Sequence, residues 1–485
     1  MLGYYGSYDV VVCGGGTSGI PAAIASARAG AKTLLIERVG QLGGQMNYSG
    51  PPGFSYAYFY NARREKIVGG FGEETYQRLL NEGYALPTKL QAWRNSYQFS
   101  YVDPDWWGLL AYQMIQESGV ELMLHALVTD VIREDTAVRG VVVEHPSGRS
   151  IVMGKVVIDC TGEGEVSFQA GAETEALVPN ELEPATVAFT ADGVDWNKFM
   201  DYVHNNIDEF SFAHLCDEYD GLTEDEIKKM VVKCETIAEI GEIMGFLSLK
   251  EKALKTGEWH NFSGIGFFIL PREGGVIQAH FQHSSQVGNA DCTNVRHITR
   301  AEVEGRNQDI IAWKFFKKYV PGFEKAYITR VCPEVRIRET RRVIGDYILT
   351  DEDVGEARKF HDVIGKSSFP AGPKHVIPGR DVTINGTLTL VSINRYPKDG
   401  GSNDIPYRCL VVKGLDNLLV AGKAISTTRG AHNRFLQQTL VTGQAAGVAA
   451  AVCVSKGITP RKLEEDVSEL QRILREQGAI LDGVH

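Results

Sequence analysis

The sequence predicts an α/β fold with a Rossmann-like dinucleotide-binding unit at its start, and three observations predict it. Tyr8-Asp-Val-Val-Val-Cys13 is β-branched and apolar, the composition of a parallel strand buried on both faces. It runs without a break into Gly14-Gly15-Gly16-Thr17-Ser18-Gly19, a G-x-G-x-x-G spacing. A small-residue helix, Ile20 to Ala31, leads to a second strand, Lys32-Thr-Leu-Leu-Ile-Glu37, which ends in an acid about 20 residues beyond the glycines. Glycine-rich turns occur in any large protein, so the strand, turn, helix, strand and terminal acid in this order carry the reading.

Each piece answers a physical need of the ligand. Gly14 permits the tight turn, Gly16 removes the side chain where a pyrophosphate has to approach the backbone, and Gly19 lets the helix lie close to the strand. Thr17 and Ser18 complete the turn at the phosphates. The helix N-terminus offers free N–H groups and a partial positive charge, and Pro21 falls where its missing N–H costs little. Glu37 is placed to accept both hydroxyls of the adenosine ribose and would repel a 2′-phosphate.

After Glu37 the alternation of strands and helices stops, and the chain becomes Arg38-Val-Gly-Gln-Leu-Gly-Gly-Gln45 followed by an irregular stretch. Gly43 and Gly44 imply a second close backbone approach, as along a ribityl chain and flavin ring, with Arg38 and Gln45 beside it. Here the sequence resembles the FAD-dependent oxidoreductases of the two-dinucleotide-binding, glutathione-reductase-like type, distantly related to fumarate reductase flavoproteins. The resemblance recurs downstream. A helix, Trp106 to Ser118, precedes strands at Val120 to Val128, Val138 to His145 and Ser150 to Ile158, similar to the three-stranded meander of these flavoproteins. Val156-Val-Ile-Asp-Cys-Thr-Gly162 resembles their strand ending in Ala-Thr-Gly, with Cys160 in place of Ala. Ala290 to Thr293 followed by Thr299 to Arg306 is similar to the family's substrate-domain helix, Arg336 to Tyr347 resembles its most distinctive motif, and Leu415 to Ser426 resembles the strand and turn that return to the flavin.

The resemblance implies FAD as cofactor. It places the backbone at Val128 against adenine, and Thr161, Gly162 and Gly422 against the cofactor. It also points the head of a Gly/Ala-rich helix, Leu436 to Val452, with Phe435 and Leu436 at its start, toward the flavin. The implied FAD-binding domain is a parallel sheet plus meander, discontinuous over residues 1–175 and 405–485. A mixed α/β substrate (cap) domain is inserted at 176–404.

For the chemistry, aromatic hydroxylase relatives usually end the late strand in Gly-Asp, whereas this chain has Gly422-Lys423, which argues against oxygen insertion. No C-x-x-C is present, which argues against a disulfide reductase. The expected reaction is dehydrogenation of a small organic substrate at C–OH or C–N by hydride transfer to flavin N5. Reduction of an activated C=C stands second, and a non-catalytic electron-transferring subunit is the rival of another class. His432 is the candidate base, lying between the returning turn and the last helix. Arg429 and Arg434 are candidates to hold a substrate carboxylate or carbonyl, or the cofactor phosphates, and Tyr48 is the next proton-transfer candidate. Two features stay open between function and packing. Arg336, Arg338, Arg341 and Arg342 either bind an anion or pair with Glu334 and Glu339 to brace the cap, and the aromatic stretch Tyr48 to Tyr60 either lines the pocket or forms an interdomain seam.

Composition bounds the rest. A chain of 485 residues, 43% hydrophobic and 23% charged, is an ordinary globular composition, and its net charge of −11 argues against nucleic-acid binding. The cysteines at 13, 160, 216, 234, 292, 332, 409 and 453 have no metal-type spacing, so neither zinc nor an iron–sulfur cluster is expected. No uninterrupted apolar run nears the roughly 18 to 20 residues of a membrane span, and Gly443 to Val454 reads as a buried helix. Met1 to Tyr8 lacks the basic and apolar regions of a signal peptide, so a cytoplasmic location is expected. The expected partners are the substrate and an electron acceptor, oxygen or a redox protein. The charged helical patch Glu224 to Lys255 is read as a lid or as the contact of a homo-oligomer.

As a general base, His432 sets a kinetic expectation. His432→Ala should slow anaerobic flavin reduction about 10²- to 10⁴-fold with FAD retained, and the wild-type rate should rise with pH through one ionisation near neutrality. A variant that reduces at the wild-type rate would remove His432 from the chemistry.

Overall fold

Strand β1 (Leu2–Cys13) is the axis of the first sheet, because its apolar half, Val10 to Cys13, is wholly buried and leaves room for parallel partners on both sides. In the computed structural model, described over residues 2–48, 56–88, 100–175, 177–212, 215–216, 221–259, 265–372, 383–384, 387–388, 394–431 and 434–483, one partner is β2 (Thr33–Ile36). It pairs from Val10 opposite Thr33 to Cys13 opposite Ile36. Helix α1 (Gly19–Arg28) connects the two.

Helix α2 (Pro104–Ser118) begins where Asp103 accepts hydrogen bonds from the Asp105 and Trp106 amides, with Pro104 in its first turn, and ends at Gly119 with φ +71°. Strand β3 (Glu121–Met123) then extends the parallel sheet beyond β2. The meander follows as β4 (Leu127–Glu134), β5 (Ala137–His145) and β6 (Gly148–Asp159). The continuous strand expected over Val120 to Val128 is therefore two strands. His125 breaks it with φ +55°, and the Ala126 amide bonds the Glu37 carbonyl at 3.0 Å, so the chain turns out of the parallel sheet at that point.

Strand β6 belongs to both parts of the sheet. It runs parallel to β1 along its length, its first half pairs antiparallel with β5, and its last residues pair parallel with a strand from far along the chain.

The second sheet is antiparallel throughout, in the order β8 (Glu242–Met244), β9 (Gly266–Pro271), β10 (Ile277–Phe281), β7 (Phe189–Asp192) and β11 (Tyr327–Val331). The long helix α3 (Val295–Tyr319) packs Phe315 and Phe316 into its core, where Phe189 and Phe281 stack at 4.4 Å between ring centroids. The patch Glu224 to Lys255 is not one helix. It forms helices Glu224–Val231, Ile237–Ile240 and Leu247–Lys255 with β8 between, and Gly241 at φ +94° marks the break.

The strand that returns to β6 is β12 (Leu418–Val420), with Leu418 opposite Val157 and Val420 opposite Asp159. Helix α4 (Leu436–Lys456) follows it and lies against α1. Among the described residues α4 alone is long and apolar enough to cross a membrane, and it is packed inside the fold. Glycines make that packing possible. A Cβ at Gly443 would stand 2.1 Å from the Ser18 carbonyl oxygen, and one at Gly447 would stand 2.1 Å from that of Ala22.

Because the obstructing atoms at Gly447 are helix backbone that cannot rotate away, Gly447→Ala should destabilise the protein by about 1–3 kcal/mol, read as a lower urea midpoint. An unchanged midpoint would mean that α1 and α4 separate freely.

Candidate functional site

A cleft with about 1490 Å³ of non-protein space, part of it open to solvent, lies at the carboxyl ends of the parallel strands. Gly14, Gly16, Thr17 and Ser18 line it from the turn after β1, Glu37 and Arg38 from the end of β2, and Gly44, Gln45 and Tyr48 from the segment beyond. Val128 lines it from β4, Thr161 and Gly162 follow β6, Gly422 follows β12, and Arg434, Phe435 and Leu436 stand at the head of α4.

The glycines here differ in why they are glycine. Gly14 has φ +105°, and a Cβ on it would meet the Cys160 carbonyl oxygen at 2.4 Å. Gly19 does not line the cleft but sits behind it, where a Cβ would fall 1.7 Å from the Gly14 carbonyl oxygen. Gly43, at φ +117°, also lies outside the lining and faces the Asn47 side chain. Gly16 has no such obstruction, since a Cβ there would touch only Gly44 Cα, at 3.7 Å. No protein contact demands glycine at 16, and what a side chain there would fill is the cleft itself, as a bound pyrophosphate requires.

The walls are built by local bonds. Asp159, buried at the end of β6, accepts from the Thr161 amide and hydroxyl at 3.1 and 2.7 Å and from the Ser167 amide and hydroxyl at 2.8 and 2.7 Å, which shapes the Thr161–Gly162 turn. Thr439 of α4 donates to the Thr17 hydroxyl at 2.9 Å, and the Gly422 amide donates to Thr442 Oγ1 at 3.2 Å. The carboxylate of Glu37 accepts from the Gly15 amide at 2.6 Å and from the Val39 amide at 3.1 Å. Burial nevertheless pushes its pKa up, against those bonds. Glu165, also in the lining, is pushed up to about 7 by burial and by its neighbours Glu163 and Asp159.

One end of the cleft is basic. Arg434 donates to both oxygens of the buried Glu183 carboxylate, at 3.0 and 2.8 Å, and lies 4.8 Å over the Phe435 ring. Arg338 donates to the Pro184 carbonyl and, at 3.4 Å, to Thr186 Oγ1, with its Nε 3.8 Å from Glu183. Lys423 donates to Glu163 at 2.8 and 2.9 Å and to the Ile337 carbonyl at 3.2 Å, a carbonyl that Gln45 also reaches at 2.9 Å. Arg38 pairs with Glu334 at 2.5 Å. Arg336 lines the same end, where burial and the charges of Arg338 and Arg434 press its pKa down.

Several sequence expectations change in this setting. Arg429 does not line the cleft; its guanidinium is bound to Glu339 at 3.2 and 3.3 Å, beside a smaller pocket. Tyr48 does line it; its hydroxyl donates to the Gln41 carbonyl, and burial pushes its pKa up. Within the run read as one basic patch, Arg341 lies over the Phe168 ring and Arg342 pairs with Glu175, so only Arg336 and Arg338 reach the cleft. His432 and residues 49–55 of the aromatic stretch lie outside the described residues. Glu163, Glu165, Glu334 and Lys423 also line the cleft; Lys423 carried a sequence signal as the departure from Gly-Asp, and Glu334, expected to pair with the basic run, pairs with Arg38.

A family model described as FAD dependent oxidoreductase matches residues 9–474. The chain is 26% identical over 198 residues, 41% of its length and 48% of the relative's, to digeranylgeranylglycerophospholipid reductase 1 of Methanococcoides burtonii. It is 26% identical over 179 residues, 36% of its length and 45% of the relative's, to digeranylgeranylglycerophospholipid reductase of Thermoplasma volcanium. The chain thus spans about half the length of the curated relatives it matches. Among solved structures it is similar to a geranylgeranyl bacteriochlorophyll reductase-like protein of Thermoplasma acidophilum, with 14% identity, a TM-score of 0.45 and coverage of 98% of this chain and 84% of that one. It is also similar to p-nitrophenol 4-monooxygenase of Pseudomonas putida, with 11% identity, a TM-score of 0.44 and coverage of 98% and 89%.

The contrast among the glycines yields a test. Gly16→Val should abolish retention of FAD, because its methyl groups take the pyrophosphate's place, while the protein stays folded by circular dichroism. Wild-type flavin content in the variant would assign the glycine to packing.

Proposed function

The chain belongs to the FAD dependent oxidoreductase family, and from that premise we propose that it is a flavin-dependent dehydrogenase of a small organic substrate with C–OH or C–N at the reacting carbon. The Gly14–Gly16 turn and the head of α1 would hold the pyrophosphate, Glu37 the ribose, and the Val128 backbone the adenine. Gly44, Gln45, Thr161, Gly162, Gly422, Phe435 and Leu436 would hold the flavin end. FAD, when bound, supplies a two-electron acceptor that takes hydride at N5.

The observation that carries the direction of the reaction is the charge at the basic end of the cleft. Arg336, Arg338 and Arg434 gather there about one buried carboxylate, Glu183, beside the N-terminus of α4. Guanidinium groups and a helix N-terminus stabilise negative charge, which favours a site that receives hydride over one that gives it up. Lys423 adds an ammonium group where the hydroxylase pattern has an acid. Arg434, held by Glu183 and by the Phe435 face, fixes the head of α4 against the cap. With Tyr48 and Arg429 engaged elsewhere, His432, two residues before the cleft-lining Arg434, remains the proposed proton acceptor. Oxygen or a redox protein would take the electrons onward.

Reduction of a C=C bond is the second reading, favoured by the match to the two archaeal reductases. The two separate under anaerobic conditions. Hydroxy acids, sugars or amines should bleach the yellow holoenzyme on the dehydrogenase reading. If none does, and enones instead restore the colour of dithionite-reduced enzyme, the reductase reading replaces it.

A further inference from the structure

Among the described residues, five basic side chains line the cleft: Arg38, Arg336, Arg338, Lys423 and Arg434. Four are engaged. Arg38 is paired with Glu334, Arg338 with the Pro184 carbonyl and Glu183, Lys423 with Glu163, and Arg434 with Glu183. Arg336 differs. It is 8% exposed, and among the described residues its guanidinium makes no hydrogen bond or ion pair; its Nη1 is buried without a partner, whereas Arg338 and Arg434, each with Nε buried without a hydrogen bond, engage others of their nitrogens.

The backbone presents Arg336 rigidly. Its amide donates to the Thr186 carbonyl at 2.6 Å and its carbonyl accepts from the Thr186 amide at 3.2 Å, while the flanking Val335 and Ile337 are anchored in a small apolar core with Ala185 and Val187. A guanidinium taken out of water without a counter-charge costs several kcal/mol even after relaxation. Glu183, the nearby carboxylate, already serves Arg338 and Arg434. Among the described residues the buried guanidinium of Arg336 thus makes no ion pair of its own, and it is held facing the cleft with Glu183 already bonded to its neighbours.

We propose that Arg336 binds a carboxylate of the substrate, so that the substrates are small organic acids; this deepens the dehydrogenase reading and rests on it. Glu183 alone does not balance the three guanidinium groups of Arg336, Arg338 and Arg434, so a substrate carboxylate supplies charge that the cluster lacks, and the planar guanidinium fork of Arg336 matches its two oxygens. The pyrophosphate of the cofactor has its own seat at the Gly14–Ser18 turn and the head of α1. Phe435 supplies an apolar wall in the same lining, packed against the tilted ring of Phe369 at 3.8 Å between centroids, which suits an acid with an apolar or aromatic body.

Calorimetric titration of the holoenzyme with benzoate, its neutral isostere benzamide and inorganic phosphate tests this, alongside flavin content. Benzoate should bind saturably and benzamide at least about 10-fold more weakly; Arg336→Gln should weaken benzoate about 10- to 100-fold with FAD content unchanged, and Arg336→Lys should recover only part of the loss. Absence of benzoate binding, equal benzoate affinity in Arg336→Gln, Arg336-dependent binding of phosphate but not benzoate, or loss of FAD from the variant would each overturn the proposal. If Arg336→Gln does not fold, Arg336→Lys decides, because it keeps the charge and loses the fork: wild-type benzoate affinity overturns the proposal and a several-fold loss supports it. Failure of the dehydrogenase reading is scored separately, by holoenzyme that binds benzoate through Arg336 and is bleached by no acid.

Discussion

The structure depends on the close approach of three backbones that the sequence holds far apart. The turn after β1, the end of β6 and the face of α4 meet with no side chain between them. A Cβ at Gly19 would overlap the Gly14 carbonyl, one at Gly14 the Cys160 carbonyl, and one at Gly443 the Ser18 carbonyl. Packed interiors have no slack for such additions. These contacts bring the head of α4 to the dinucleotide turn, and the Thr439–Thr17 and Thr442–Gly422 hydrogen bonds lock the register. That junction places Phe435, Leu436 and Thr439 in the cleft lining.

The second constraint is electrostatic and sits where the segment carrying the second sheet meets the first sheet. Glu183 and Glu339 are both buried, and each lies against two arginines: Arg338 and Arg434, both far along the chain, about Glu183, and the neighbouring Arg342 with the distant Arg429 about Glu339. The attraction in such pairs is largely offset by the loss of hydration, so their main consequence is geometric. They orient the strand-like segment 335–338 against residues 183–186, and with it the side chains that the cleft receives. The charge that remains after this pairing is positive, which is why the chemistry of the site follows from how the two parts are joined.

Much of the FAD-binding part was legible because its signals are local. Strand, glycine turn, helix and acid are contiguous, so spacing in the sequence is spacing in space, and Gly14, Gly16, Thr17, Ser18 and Glu37 line one cleft. The later turns at Thr161 and Gly422 were legible through resemblance to a family. The strand expected over Val120 to Val128 failed at one residue, His125, whose left-handed φ no periodicity announces. Arg429 and Arg434 are five residues apart and look alike in the sequence, yet one reaches the cleft and the other is bound by Glu339 outside it.

By itself, then, the sequence determined the dinucleotide turn, the strand ends around it, the small-residue helix that closes on it, and the family to which the chain belongs. Those are properties of contiguous residues and of glycine, whose role follows from the absence of a side chain. Which charges are spent and which are free was decided only by the tertiary structure. Arg336 and Arg338 have the same chemistry at alternate positions, and what separates them is that Glu183, Pro184 and Thr186, some 150 residues upstream, bond the guanidinium of Arg338 but only the backbone of Arg336. A charge's availability depends on every group around it in space, and that is not a property of its place in the chain.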